Sequence, residues 1–257
     1  MEFLLICIAA FMVSGLTLFA GFGLGTMLMP VFAVFFPVNI AIGLTAVVHL
    51  INSLFRSAIL VKFANRRVVI KFGLPAILAA IIGAYLLSVI SKLNLFIDYQ
   101  IFGYQFHVSL VKFIIAIIIM FFIVLESIPK TKILSLKKEH LAIGGILSGF
   151  FGGLSGHQGA FRSVFLIQTN LSKEEFIASN MVIAALVDIT RIIVYGISFP
   201  SSELIGRIPI LTAASLSAIL GSFIASHFIE KITIKTIRIM VFISLFGIAI
   251  GLIIGII

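Results

Sequence analysis

Charge is what this sequence has least of. Of its 257 residues, 18 are basic and 9 acidic, so 11% are charged while 61% are hydrophobic. A soluble domain of this size carries about 25% charged residues. Here the polar residues are too few to cover a water-facing surface, and the mean hydropathy of +1.31 reads as a polytopic membrane protein. No polar stretch is long enough to form a separate soluble domain. The single cysteine, Cys7, excludes an internal disulfide and any multi-cysteine metal site. The chain has no HExxH, no paired acids on one span and no GxxxxGK loop. The expectation is therefore no cofactor, no metal and no direct use of ATP. The net charge of +9 raises the question of nucleic acid. However, the lysines and arginines gather in short loops at the ends of apolar runs, which is a topology signal, and no basic-aromatic surface is available for stacking bases. The first residues, Met1-Glu2, carry no positive charge and precede a long apolar run, so this segment is read as part of the mature protein and not as a signal peptide.

What the chain does have is a glycine-broken apolar stretch, Leu141 to Thr169. It is interrupted by Gly152, Gly153, Ser155, Gly156 and Gly159, with His157 and Arg162 beside the interruption. An unpaired backbone group facing lipid costs several kcal/mol, so such a break is expected to be buried or to line a wet cavity. A second copy lies earlier: Ser14-Gly15 and Gly25 match Ser148-Gly149 and Gly159 at an offset of 134. Pro75 and Pro209 share that offset, Arg56 and Arg191 correspond at 135, and Gly83 and Gly221 at 138. Internal duplication is common in transporters. The expected fold is an all-α polytopic membrane protein of two inverted-topology repeats, each a broken or re-entrant hairpin plus three transmembrane helices. The first repeat covers 1–128 (hairpin 3–37; spans 38–61, 72–90 and 110–128). A basic linker covers 129–140. The second repeat covers 141–257 (hairpin 141–169; spans 176–199, 208–229 and 239–257).

The loops at 62–71, 129–140 and 230–238 are the most basic and are expected in the cytoplasm. That placement requires the stretch 141–169 to return to its starting side. Its arms of about 15 residues reach roughly 22 Å, short of the roughly 30 Å hydrocarbon core, as a re-entrant hairpin requires. Asn170–Glu175 then also lies on the cytoplasmic side, although its charges cast no positive vote.

Two hairpins entering from opposite faces bring their tips together near the midplane. Short helices begin there, at about Gly23 and about His157, and a helix start offers unpaired N–H groups and the positive end of its dipole to an anion. Gly21, Gly23, Gly25, Ser155, Gly156, His157, Gln158, Gly159 and Arg162 are the expected substrate contacts, together with Asn52 and Arg191. The alternative role for tip glycines is tight helix packing, the role expected of Gly144, Gly145 and Gly149. Asp188 and Arg191 share a helix face at i, i+3. His49, His157 and Asp188 are candidates to carry a coupled proton. Arg56 either serves the site or snorkels to the nearby headgroups. Asn180, like Asn52, is a neutral hydrogen-bonding candidate, and within this set Gln158 and Ser163 rank below the charged residues they flank.

At these residues the chain resembles the TauE/SafE family of sulfite exporters. The resemblance rests on GFGLGTMLMP, Gly21 to Pro30, on the AIGLT stretch Ala41 to Thr45, on the basic loop between the third and fourth segments, and on the Gly/Pro helix at 73–83. The second half departs from the usual Gly-rich run followed by Pro and has GLSGHQGAFRS instead. It is similar to the branch with a SGxQGxxRS motif, in which His157 and Arg162 add positive charge. The resemblance implies transport of a small sulfur-containing or organic anion, such as sulfite, a sulfonate or a carboxylate, driven by an ion gradient. The expected partners are that anion, a proton or sodium as coupling ion, the lipid bilayer and, as an open option, a second copy of the chain. The expected place is the inner or plasma membrane. A passive anion channel is the alternative, and a membrane-embedded enzyme a remote one.

Overall fold

The computed structural model describes residues 2–17, 24–93, 95–127, 140–199, 206–228 and 234–256. Helix α1 (Glu2–Thr17) is followed by α2 (Leu24–Phe35), and Pro37 starts α3 (Val38–Leu60). A single 3₁₀ turn leads to α4 (Arg66–Lys92), which is N-capped by the Asn65 side chain accepting from Val68 N at 3.2 Å. Two strands, β1 (Phe96–Ile101) and β2 (Tyr104–Ser109), precede α5 (Leu110–Ser127). The second half has α6 (Leu141–Ser155), the short α7 (Gly159–Leu166), α8 (Lys173–Ser198), α9 (Ile208–Phe228) and α10 (Ile234–Ile253). A capping box starts α8: Ser172 Oγ accepts from Glu175 N, and the Glu175 carboxylate accepts from Ser172 N. Among the described residues, four helices are long and apolar enough to cross a membrane: α3, α4, α8 and α9.

Two features correct the sequence reading. The segment 91–109, left between the expected spans 72–90 and 110–128 with no element assigned, holds an antiparallel hairpin that pairs Phe96 with Ser109 through to Ile101 with Tyr104. Its alternating aromatics stack across the strands, Phe96 on His107 and Tyr99 on Phe106. The break in the second half is also narrower than expected. Gly152 and Gly153 lie inside α6, and the helix ends only at Gly156, whose φ of 82° is the left-handed conformation that favours glycine. Gly153 belongs to a packing row. Gly145, Gly149 and Gly153 lie against the backbone carbonyls of Phe72, Ala76 and Ala80 on α4, four residues apart on both helices. A Cβ at any of them would overlap that carbonyl, so glycine sets how closely α4 and α6 approach. The same kind of contact joins α1 to α9, where Gly221 lies against the Phe11 carbonyl and Gly15 against that of Gly221.

Three contacts fix which helix ends lie together. Asn65 N donates to Ser179 Oγ at 2.9 Å, placing the start of α4 beside the start of α8. The Arg207 guanidinium sits 4.4 Å over the Phe36 ring, placing the start of α9 beside the end of α2. Tyr99 OH donates to the Ile253 carbonyl, placing the β-hairpin beside the end of α10. Hence α3, α5 and α9 run one way, and α4, α8 and α10 the other. The segment 170–175 lies at the same level as the basic 62–71 turn, although Glu174 and Glu175 outweigh Lys173 and leave it without net positive charge.

Candidate functional site

The two glycine-rich breaks meet. Gly25 lies in the first turn of α2, where a methyl group on its Cα would sit 3.5 Å from the Gly156 carbonyl oxygen and 3.7 Å from His49 Cδ2. Gly21 and Gly23 lie outside the described residues. Beside this meeting point is a cavity of about 30 Å³, above the roughly 10–15 Å³ that one water needs. Its walls come from the end of α1 (Thr17), the start of α2 (Leu24), α3 (His49, Ser53, Arg56), α7 (Arg162) and α8 (Asn180, Ala184).

Two guanidinium groups face this cavity. Arg162 lies one turn into α7 and is buried; its Nε donates to Asn180 Oδ1, and its Nη1 donates to Gln158 Oε1 at 2.7 Å. Arg56 donates from Nη2 to the Ser14 carbonyl at 2.8 Å and to Ser222 Oγ at 2.7 Å. Asn52 completes that set with Oδ1 toward Arg56 and Nδ2 donating to Ser222 Oγ at 2.9 Å, the orientation in which every group is satisfied. Arg56 therefore does not snorkel; its Nε and Nη2 are held by the core while the residue lines the cavity. Among the described residues neither arginine is in an ion pair. All their partners are neutral.

The buried carboxylate is held elsewhere. Asp188, fully buried on α8, accepts from Arg191 Nε at 2.9 Å, with Arg191 Nη2 2.7 Å from the same oxygen. Gln158 Nε2 also donates to it, at 2.8 Å. Its other oxygen is 2.5 Å from His49 Nδ1. His49 thus joins the buried carboxylate to the cavity that its ring also lines. Gln158, the residue between the break and α7, thus bridges the cavity arginine Arg162 to Asp188. Arg191 Nη1 donates to the Gly152 carbonyl at 3.3 Å, so it steadies the end of α6 and does not line the cavity. Arg56 does the same to α1. Each arginine bonds the carbonyl three residues before its helix ends, where cations complement the helix dipole.

The remaining expected contacts divide. Gly159 opens α7 and is buried. Ser155 closes α6, with Oγ donating to the Phe151 carbonyl at 3.0 Å. His157 turns away from the cavity. Its ring stacks on Phe122 with centroids 5.1 Å apart, and its Nδ1 bonds the Ser155 carbonyl at 3.0 Å. The structure adds Ser14, Ser222, Ser53 and Thr17, which the sequence reading did not assign to the site. Ser14 was visible within the repeated Ser-Gly, and Ser222 follows Gly221.

Charge counting gives the site its chemistry. Three arginines, Arg56, Arg162 and Arg191, against the one carboxylate of Asp188 leave two positive charges. Charge inside a membrane protein is costly without a partner, and a planar guanidinium suits an oxyanion.

The sequence profile of one family, described as Sulfite exporter TauE/SafE, matches residues 5–252. No curated protein and no solved structure gives a significant match.

Proposed function

We propose, since the chain belongs to the TauE/SafE family of sulfite exporters, that this membrane transporter binds a small oxyanion between Arg56 and Arg162 and moves it by alternating access, with a proton as the coupling ion. Membership of the family carries the coarser statement, a multi-pass membrane transporter of sulfur anions such as sulfite. The observation that carries the finer one is the pair of guanidinium groups on a single cavity, both held only by neutral acceptors. An anion entering the cavity supplies the missing charge. A dianion such as sulfite cancels both. The wall that receives it, Leu24, Thr17 and Arg162, belongs to the two broken segments, whose helix starts add N–H groups and positive dipole ends.

The two-repeat reading is supported by helix direction: α3–α4–α5 and α8–α9–α10 run in opposite senses, and α1 packs on α9 as α6 packs on α4. Movement of one repeat against the other exposes the cavity to each side in turn. His49 lines the cavity and touches Asp188, so a proton carried by this pair stands beside the bound anion. The proton is favoured over sodium for this reason. Flux of labelled sulfite into proteoliposomes is expected to follow an imposed pH gradient and to ignore a sodium gradient. Arg162→Gln removes one of the two charges. Loss of a charged hydrogen bond costs about 1.5–3 kcal/mol, so affinity is expected to fall roughly 10- to 150-fold. Wild-type affinity in Arg162→Gln removes this cavity from consideration. Flux that follows neither gradient, carried by large unitary currents, replaces the transporter with a passive channel.

A further inference from the structure

The β-hairpin breaks a rule of its own turn. Strands β1 and β2 are joined by two residues, Phe102 and Gly103, with φ of 51° and 83°. Two positive φ values in a two-residue loop make a type I′ turn, whose first position is normally Asn, Asp or Gly. Here it holds phenylalanine, which is strained in this conformation. The ring gains nothing from the protein in return, because Phe102 is 96% exposed, and Tyr104 beside it is 73% exposed. Departures from local rules of this kind collect at functional positions.

The position of the hairpin indicates what covers the ring. Helix α4 has 27 residues and is roughly 40 Å long at about 1.5 Å per residue. That exceeds the roughly 30 Å hydrocarbon core and matches the roughly 40–45 Å bilayer with its headgroups. With Arg66 and Arg67 at one headgroup layer, Lys92 emerges at the other and the hairpin begins there. Beyond the lipid-facing apolar surface of α4, exposed at Leu78, Ile82 and Tyr85, and past the exposed Lys92, Leu93, Leu95 and Phe96 present further apolar surface at the base of the hairpin. The hairpin is also tied down, by Tyr99 OH on the Ile253 carbonyl and by Gly255 against Val108. It is therefore a fixed spur at interface depth. Aromatic rings with one apolar and one wet side are enriched at that depth.

We infer that the hairpin is a membrane-interface anchor: Phe102 and Tyr104 insert among the lipid headgroups on the side opposite the basic 62–71 turn and hold the ends of α4, α5 and α10 at that level. The partner is the lipid surface of the bilayer that already surrounds the helices.

The sequence contains no tryptophan, so one substitution gives a clean reporter. Phe102→Trp in the full chain is reconstituted in phosphatidylcholine nanodiscs and read by fluorescence. The expected result is blue-shifted emission, quenched several-fold more by lipids brominated near the carbonyl end of the chain than by lipids brominated near the methyl end, and little affected by iodide. Water-like emission that iodide quenches overturns the anchor. Emission shielded from both bromolipid and iodide also overturns it, because the ring then lies against protein, such as a second copy. Tyr104→Trp provides an independent reporter on a residue whose backbone is unstrained, and it must give the same depth order. Failure of sulfite transport leaves this test untouched, since the readout is depth alone.

Discussion

Removing one member of the Asp188–Arg191 pair strands the other in a site from which water is excluded. Both side chains are fully buried, and Asp188 also holds the Gln158 amide and His49. In Asp188→Asn the guanidinium of Arg191 loses its one carboxylate among the described residues and keeps only neutral partners, such as the Gly152 carbonyl and the Tyr195 side chain. Breaking a buried pair in this way costs about 3–5 kcal/mol. At roughly 2–4 °C per kcal/mol, the apparent Tm in detergent is expected to fall by roughly 6–20 °C. Arg191→Met is expected to fall by a similar amount. The informative variant is the double, Asp188→Leu with Arg191→Met. Replacing both members by apolar groups of similar size is often neutral or stabilising, so the double variant is expected to regain most of the loss while remaining unable to couple flux to a pH gradient. Helical circular dichroism against temperature measures the first effect and proteoliposome flux the second. If Asp188→Asn melts within 2 °C of wild type, the reasoning fails at its root. The carboxylate would then be solvated or protonated and not the partner of Arg191. If the double variant melts as low as the sum of the singles, the two residues act independently.

Other outcomes follow from the same geometry. His49→Gln keeps a hydrogen bond to Asp188 but cannot carry a proton; anion exchange across the membrane is expected to persist while acceleration by a pH gradient is lost, and retained acceleration assigns the proton to another group. Gly149→Ala drives a methyl group into the Ala76 carbonyl and is expected to cost about 1–3 kcal/mol, read as a lower Tm; the same change at Gly196, which has nothing within 4 Å, serves as the control.

Much of this arrangement is readable without coordinates, and the exceptions have physical causes. Pro37 ends one segment and α3 begins at Val38 behind it, whereas α8 begins at Lys173, ahead of the expected span 176–199, because the capping box of Ser172 and Glu175 went unread. The Asp188–Arg191 contact follows from i, i+3 spacing alone. The glycines were harder because one residue type does two jobs. Gly152 and Gly153 read as a break, but the four-residue rhythm of Gly145, Gly149 and Gly153 belongs to packing on α4, and only Gly156 takes the left-handed turn. His157 was expected in the cavity. Its direction depends on Phe122, a residue on α5, and no local pattern encodes that contact. Arg56 had two open readings because its distance from Lys62 suits snorkelling; Ser14 and Ser222, far away in sequence, decide the matter. The hairpin was missed because its alternation is masked by exposed aromatics on both faces.

Arg56 and Arg191, which correspond at an offset of 135, keep different company, and under the proposed two-repeat reading this difference accounts for a single anion site. The offset of 135 that relates Arg56 to Arg191 also relates Ser53 to Asp188. One half therefore reads Ser-x-x-Arg and the other Asp-x-x-Arg, each on a helix where i and i+3 share a face. In the second half the carboxylate neutralises its arginine. In the first half serine cannot, so Arg56 keeps its charge toward the cavity that Ser53 also lines. Ser53→Asp is expected to convert the first half into a copy of the second. The protein should stay as stable as wild type or gain stability, because a half-buried cation without an ion-pair partner acquires one. The anion should be repelled. A unit charge about 6 Å away at an effective dielectric constant of about 20 is worth roughly 3 kcal/mol, about a hundredfold in affinity. The melting-temperature rise that saturating sulfite gives the wild type should then disappear in Ser53→Asp and persist in the neutral, similarly sized Ser53→Asn. Sulfite stabilisation that survives the new carboxylate undiminished places the anion away from Arg56, and the unequal partnering of the two arginines then has no bearing on where it binds.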